Sequence, residues 1–107
     1  MINFFRNLFG LGPRVDVGAL VQEGAVIVDV RTPGEYSSGH VKGSLNIPLD
    51  QLSGSLKKLQ DKNAAIVTCC ASGMRSAAAR GVLRSAGYTN VHNGGSWQSV
   101  RNLKNNK

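Results

Sequence analysis

Acidic residues are scarce in this chain of 107 residues, and beyond Asp61 there are none. Six Asp or Glu stand against 13 Lys or Arg, for a formal net charge of +7. Residues 1–61 carry six of each sign, so the whole surplus lies in Lys62, Arg75, Arg80, Arg84, Arg101, Lys104 and Lys107. A field of one sign over half a small domain draws in small anions and favours the ionised form of an acidic group placed there. Cysteine is equally sparse: Cys69 and Cys70 are the two, and they are adjacent. A bridge between neighbours is strained, so no disulfide framework can form, and a reducing, cytoplasmic setting is expected. The cysteine pair and the isolated His40 and His92 lack metal-ligand spacing, so neither a metal nor a cofactor is expected. Aromatic residues number one Trp, two Tyr and three Phe, with all three Phe near the N-terminus. With no nucleic-acid motif beside the basic pI of about 10.0, nucleic acid is not expected as a partner.

Long apolar runs are missing too. The most apolar stretch gathers Ile2, Phe4, Phe5, Leu8, Phe9 and Leu11 around Arg6, too short to span a membrane. The following Gly10-Leu11-Gly12-Pro13 does not make a convincing signal-cleavage site. A short helix covering part of the core is expected there; peripheral contact with a membrane or a partner is the alternative. The length allows one domain with a real core. The division expected is an apolar extension over 1–13, a domain over 14–103 and a basic tail over 104–107.

What is present is a regular alternation of strand and helix patterns. Strands are expected at 15–17, 25–30, 45–47, 64–69 and 89–92, from short apolar or β-branched runs. Helices are expected from Ala19 up to Gly24, from Thr32-Pro33 to Gly39, over about 50–60, and over about 75–86 with Gly87 as its stop. The third rests on Leu49, Leu52, Leu56 and Leu59. Arg80 and Arg84, four apart, read as the solvated face of the last helix. The alternation predicts an α/β domain with a mostly parallel five-stranded sheet and helices on both faces. Ligands of such sheets bind at the carboxyl ends of the strands.

One loop occupies that place. Cys70-Ala71-Ser72-Gly73-Met74-Arg75 joins a buried strand to a helix that opens with Ser76-Ala77-Ala78-Ala79. A helix start offers unpaired N–H groups and partial positive charge, which stabilise a thiolate and welcome an oxyanion. Gly73 allows the backbone to turn inward. A nucleophilic thiol in an anion cradle is therefore expected at Cys70, with Ala71, Ser72, Gly73, Met74 and Arg75 forming the cradle. Cys69 is expected to be a buried strand thiol without a chemical role.

Three separated segments carry a resemblance to a known family. Residues 29–36 (DVRTPGEY) with 39–48 (GHVKGSLNIP) resemble the first signature of rhodanese-like domains. Residues 70–76 resemble that family's active-site loop, and Asn90-Val91 with Gly94-Gly95-Ser96-Trp97 resembles its closing motif. The resemblance spans about 14–103. It implies a single rhodanese-like domain and a thiosulfate sulfurtransferase: Cys70 would take sulfur from thiosulfate or a similar small anionic donor. The persulfide would then serve cyanide, a thiol or a protein acceptor. Arg75 would face the donor's sulfonate.

Structural roles are expected for the remaining motif residues. Arg31 is read as a local ion-pair partner of Glu35, and Asp29 as a partner of backbone groups under the loop. His40 is read as part of a turn, Trp97 as core or pocket wall, and Gly94 and Gly95 as the place where the chain passes close to the loop. Two rival functions share the fold: a partner-binding or sulfur-carrier module, and an arsenate reductase or phosphatase. The latter resemble this loop but carry one more residue between Cys and Arg, where this chain has four.

Overall fold

The computed structural model describes residues 15–106. The N-terminal apolar stretch and its expected helix lie outside the described residues. Four parallel strands form one sheet in the order β2-β1-β3-β4: β1 is Val26–Asp29, β2 Leu45–Asn46, β3 Ile66–Cys70 and β4 Val91–Ser96. The α/β class is as expected; the strand count is four among the described residues, not five.

The strand expected at 15–17 is the start of a helix, α1 (Val17–Gln22). Asp16 decides this, because its carboxylate accepts the Ala19 N–H at 3.0 Å and caps the helix. A second short helix, α2 (Pro33–Ser37), has Thr32 as its cap. Glu35 reaches back to the Thr32 N–H, completing a capping box. The helix expected over 50–60 is instead two 3₁₀ turns, Leu49–Gly54 and Leu56–Lys58. Its leucines are three apart within each turn, a spacing that suits three residues per turn, and the Ser53-Gly54-Ser55 break carries poor helix formers. Leu52 and Leu59 are still buried.

The long helix α3 (Met74–Ser85) follows β3 and α4 (Trp97–Asn105) follows β4. Side chains alternate along β3: Ile66 and Cys70 join the core under α3 and the 3₁₀ turns, with Leu52, Leu83 and Tyr88. Val67 and Cys69 join the core under α1 and α4, with Val21 and Val100. Every residue of β3 is buried, as expected for an inner parallel strand. No helix among the described residues is long and apolar enough to cross a membrane.

Candidate active site

Cys70 is the last residue of β3, at the carboxyl edge of the sheet, and α3 begins four residues later. Gly73 makes the turn between them with φ +106°, a conformation that side chains with a Cβ rarely adopt. A Cβ there would meet the Gly95 Cα at 3.5 Å, an ordinary contact distance, so the backbone angle rather than crowding calls for glycine. The turn brings the Gly73 N–H to 3.0 Å and the Ser76 N–H to 3.4 Å from the Cys70 sulfur. The sulfur therefore sits at the helix start with N–H groups aimed at it.

Burial opposes ionisation of this thiol, since Cys70 is only 1% exposed. Against that act the Ser76 hydroxyl and the N–H groups of Ser76, Gly73 and Ser72, and together they hold its pKa below the ordinary thiol value. The neighbouring thiol shows the contrast. Burial pushes Cys69 up to about 12, and nothing comparable offsets it, so it remains a neutral core thiol.

Two residues not singled out from the sequence complete the cradle. The Ser76 hydroxyl lies 3.6 Å from the sulfur, 3.0 Å from the Gly73 carbonyl and 2.5 Å from Asn93 Oδ1. Asn93 also accepts the Gly95 N–H at 2.9 Å and donates to the Gly73 carbonyl at 3.3 Å, tying β4 to the loop. Pairing of β3 with β4 sets Thr68 opposite Asn93 and Cys70 opposite Ser96, so β4 carries one extra residue at the Gly94-Gly95 bulge. Ser76 follows Arg75 directly and was within reach of a closer reading of the loop. Nothing local marks Asn93, which reaches the site through the sheet.

Arg75 does not stand free as expected for a donor's sulfonate. Its Nη1 and Nη2 donate to Glu35 Oε1 and Oε2 at 2.7 and 2.9 Å. The Arg75 guanidinium and the Thr32 N–H hold the Glu35 carboxyl down at about 2. Glu35 is thus not the ion-pair partner of Arg31, which takes only its backbone carbonyl, at 3.2 Å. Arg31 pairs with Asp29 instead: Nη2 donates to Oδ2 at 2.7 Å and Nε to Oδ1 at 2.9 Å. Asp29 in turn accepts the Arg31 N–H rather than backbone groups of the loop, because it ends its own strand beside that turn.

His40 belongs to the turn: Nδ1–H donates to the Tyr36 carbonyl at 2.8 Å and the two rings stack with centroids 3.8 Å apart. Trp97 lies under the Arg31 and Arg101 guanidiniums, 4.8 and 5.0 Å from its ring centre, and packs on the core. Gly94 leaves no room for a Cβ, which would fall 2.6 Å from Val67 and 2.7 Å from Val100. Met74 is 81% exposed at the start of α3. Beside Arg75 opens a cleft of about 380 Å³ lined by Val30, Thr32, Pro48, Leu49 and Asp50.

A parallel α/β sheet that ends an inner strand in a thiol with two backbone N–H groups aimed at its sulfur defines a candidate cysteine-nucleophile site. Residues 15–102 match the model of the Rhodanese-like domain, and the chain belongs to that family. It is 35% identical over 74 residues to the thiosulfate sulfurtransferase PspE of Escherichia coli, covering 68% of this chain and 71% of that protein. It is 32% identical over 80 residues to the thiosulfate sulfurtransferase GlpE of Pseudomonas fluorescens, covering 75% and 72%. Among solved structures, a rhodanese with anions from E. coli matches with TM-score 0.68 and 34% identity over 71% of this chain and 91% of that one. A human single-domain sulfurtransferase matches with TM-score 0.69 and 28% identity, over 78% and 87%.

Proposed function

We infer that this protein is a sulfurtransferase that carries sulfane sulfur on Cys70. The Cys70 thiolate attacks the outer sulfur of thiosulfate or a similar small anionic donor, the donor's S–S bond breaks, and sulfite leaves with the electron pair. The persulfide then gives its outer sulfur to cyanide, a small thiol or a protein acceptor, and the thiolate is restored. Splitting the transfer lets one nucleophile serve both halves.

The observation that carries this reading is the pair of N–H contacts on the sulfur, at 3.0 Å from Gly73 and 3.4 Å from Ser76. Donors aimed at one sulfur stabilise an anion there without reorganisation during the reaction. Support also comes from the relatives named as thiosulfate sulfurtransferases. The low exposure of Cys70 favours slender sulfur-bearing reagents. Asn93 and Ser76 act as positioning residues, because they fix the loop and the hydroxyl beside the sulfur. The paired free thiols suit a reducing compartment such as the cytoplasm.

Intact-protein mass spectrometry after thiosulfate treatment and desalting tests the reading. A gain of one sulfur atom is expected in the wild type and in Cys69→Ser, and none in Cys70→Ser. No gain in the wild type with thiosulfate or any other sulfane donor would overturn it.

A further inference from the structure

One face of α4 gathers cations that no carboxylate meets. Trp97, Arg101 and Lys104 stand four and three residues apart, so they share a side of the helix. Lys104 Nζ donates to the Lys42 carbonyl, which brings Lys42, an exposed residue of the turn after α2, to the same surface. The surface starts at the edge of the sheet that holds Cys70, because Ser96 lies opposite Cys70 in the β3–β4 pairing and Trp97 follows it. The ion pairs among the described residues are Arg31–Asp29 and Arg75–Glu35, and neither involves Lys42, Arg101 or Lys104. Asp16, at the start of the helix packed against α4, has its carboxylate on the cap of α1.

The donors on this surface are held ready. The Arg101 guanidinium is exposed and lies 5.0 Å from the Trp97 ring centre. A guanidinium resting on a ring keeps the N–H donors of its edge for a carboxylate. Lys104 spends one of its three ammonium donors on the Lys42 carbonyl and has two left. The Trp97 ring already carries two guanidiniums, Arg31 at 4.8 Å and Arg101, so it offers no stacking platform to a nucleic-acid base. Neither α4 nor the turn at 38–44 has an exposed large apolar side chain, so the surface lacks the anchor that a membrane interface rewards.

We propose that Arg101, Lys104 and Lys42, arranged about Trp97, form a docking surface for an acidic segment of a partner protein. Carboxylates on such a segment match the guanidinium edge and the two ammonium groups, and exposed charges of this kind steer and orient a partner more than they hold it. The surface does not depend on what the Cys70 thiol carries. It brings the docked protein to the edge of the sheet where that thiol stands.

Fluorescence anisotropy of a dye-labelled, glutamate-rich peptide titrated with the full chain at low salt tests the proposal. Saturable binding is expected, weakening as salt rises, with a change in the emission of Trp97, the one tryptophan of the chain. Lys42→Gln combined with Arg101→Gln should raise Kd about tenfold, the sum of two exposed charge pairs. Lys42 meets Lys104 through its backbone carbonyl, so Lys42→Glu keeps that bond and should weaken binding by itself. Lys57→Gln combined with Arg84→Gln removes the same charge from exposed positions on the 3₁₀ turn and α3, and should leave Kd nearly unchanged. An equal loss in that control would mean that net charge alone attracts the peptide, and the proposal would fall. It would fall equally if binding did not saturate, if Trp97 emission stayed constant, or if a single-stranded oligonucleotide or phosphatidylglycerol vesicles bound more tightly than the peptide.

Discussion

Asp29 and Arg31, two residues apart at the end of β1, close a buried ion pair in which Nη2 donates to Oδ2 at 2.7 Å and Nε to both carboxylate oxygens at 2.9 and 3.0 Å. The guanidinium also donates to the Gly39 carbonyl at 2.7 Å and to the Glu35 carbonyl at 3.2 Å, so it stitches α2 and its following turn to the sheet. Both side chains are nearly fully buried. Removing one partner strands the other charge away from water, which costs far more than losing an exposed pair. Asp29→Ala is expected to lower stability by about 3 kcal/mol, read from the denaturant midpoint. A loss below about 1 kcal/mol would show that water reaches the guanidinium.

The two adjacent thiols should titrate apart. Alkylation with iodoacetamide near neutral pH is expected to label Cys70 and spare Cys69, because one pKa is lowered and the other is raised to about 12. The linkage to stability has opposite signs. The raised Cys69 value means the folded state keeps a proton that the unfolded chain gives up, so stability falls as pH rises from about 9 toward 12. The lowered Cys70 value contributes stability that is complete above the ordinary thiol value and is lost as pH falls through the folded value. A Cys69→Ala variant should lose the alkaline decline and keep the pH profile of Cys70 alkylation.

Ser76 is buried, and its hydroxyl and N–H both face the Cys70 sulfur. Ser76→Ala leaves the N–H and deletes the hydroxyl. The midpoint of the alkylation pH profile is expected to rise by about one unit, the worth of one hydrogen bond to a charged group. An unchanged midpoint would mean that the backbone donors alone set the thiolate.

Glycine substitutions should separate packing from catalysis. Gly94→Ala forces a Cβ against Val67, Val100 and the Thr68 carbonyl, all within 2.9 Å, and is expected to cost about 2 kcal/mol or more in stability. Gly73→Ala meets no such crowding, its nearest contact being 3.5 Å, but its φ of +106° is strained for alanine. It should rotate the Gly73 N–H away from the sulfur and reduce sulfur transfer about tenfold or more, while melting changes less than in Gly94→Ala.

Much of the fold was legible because its signals are local. Thr32-Pro33 and Glu35 announce α2 through a cap and its reciprocal acid, and Gly87 with φ +96° stops the chain after α3. The apolar run before Cys70 marks an inner strand. The misreadings are also local in origin. Val15-Asp16-Val17 has the look of a strand, yet Asp16 spends its carboxylate on a helix cap. Leu49 to Leu59 has helical spacing in sum, but each pair of leucines is three apart, and the chain takes two 3₁₀ turns.

The sequence by itself determined where Cys70 stands: after a buried strand, before a helix, with a glycine to turn the loop. Hydrophobic period, caps and turn residues act over a few positions, and those were enough to place Cys70 at the carboxyl edge of a parallel sheet. Only the tertiary structure decided which partners the charges and amides take. Glu35 finds Arg75 forty residues away, leaving Arg31 to Asp29. Asn93 reaches Ser76 because β4 lies beside β3 with a one-residue bulge. Long side chains choose among neighbours by distance, and the neighbours exist only once the strand order β2-β1-β3-β4 has brought these loops to one edge.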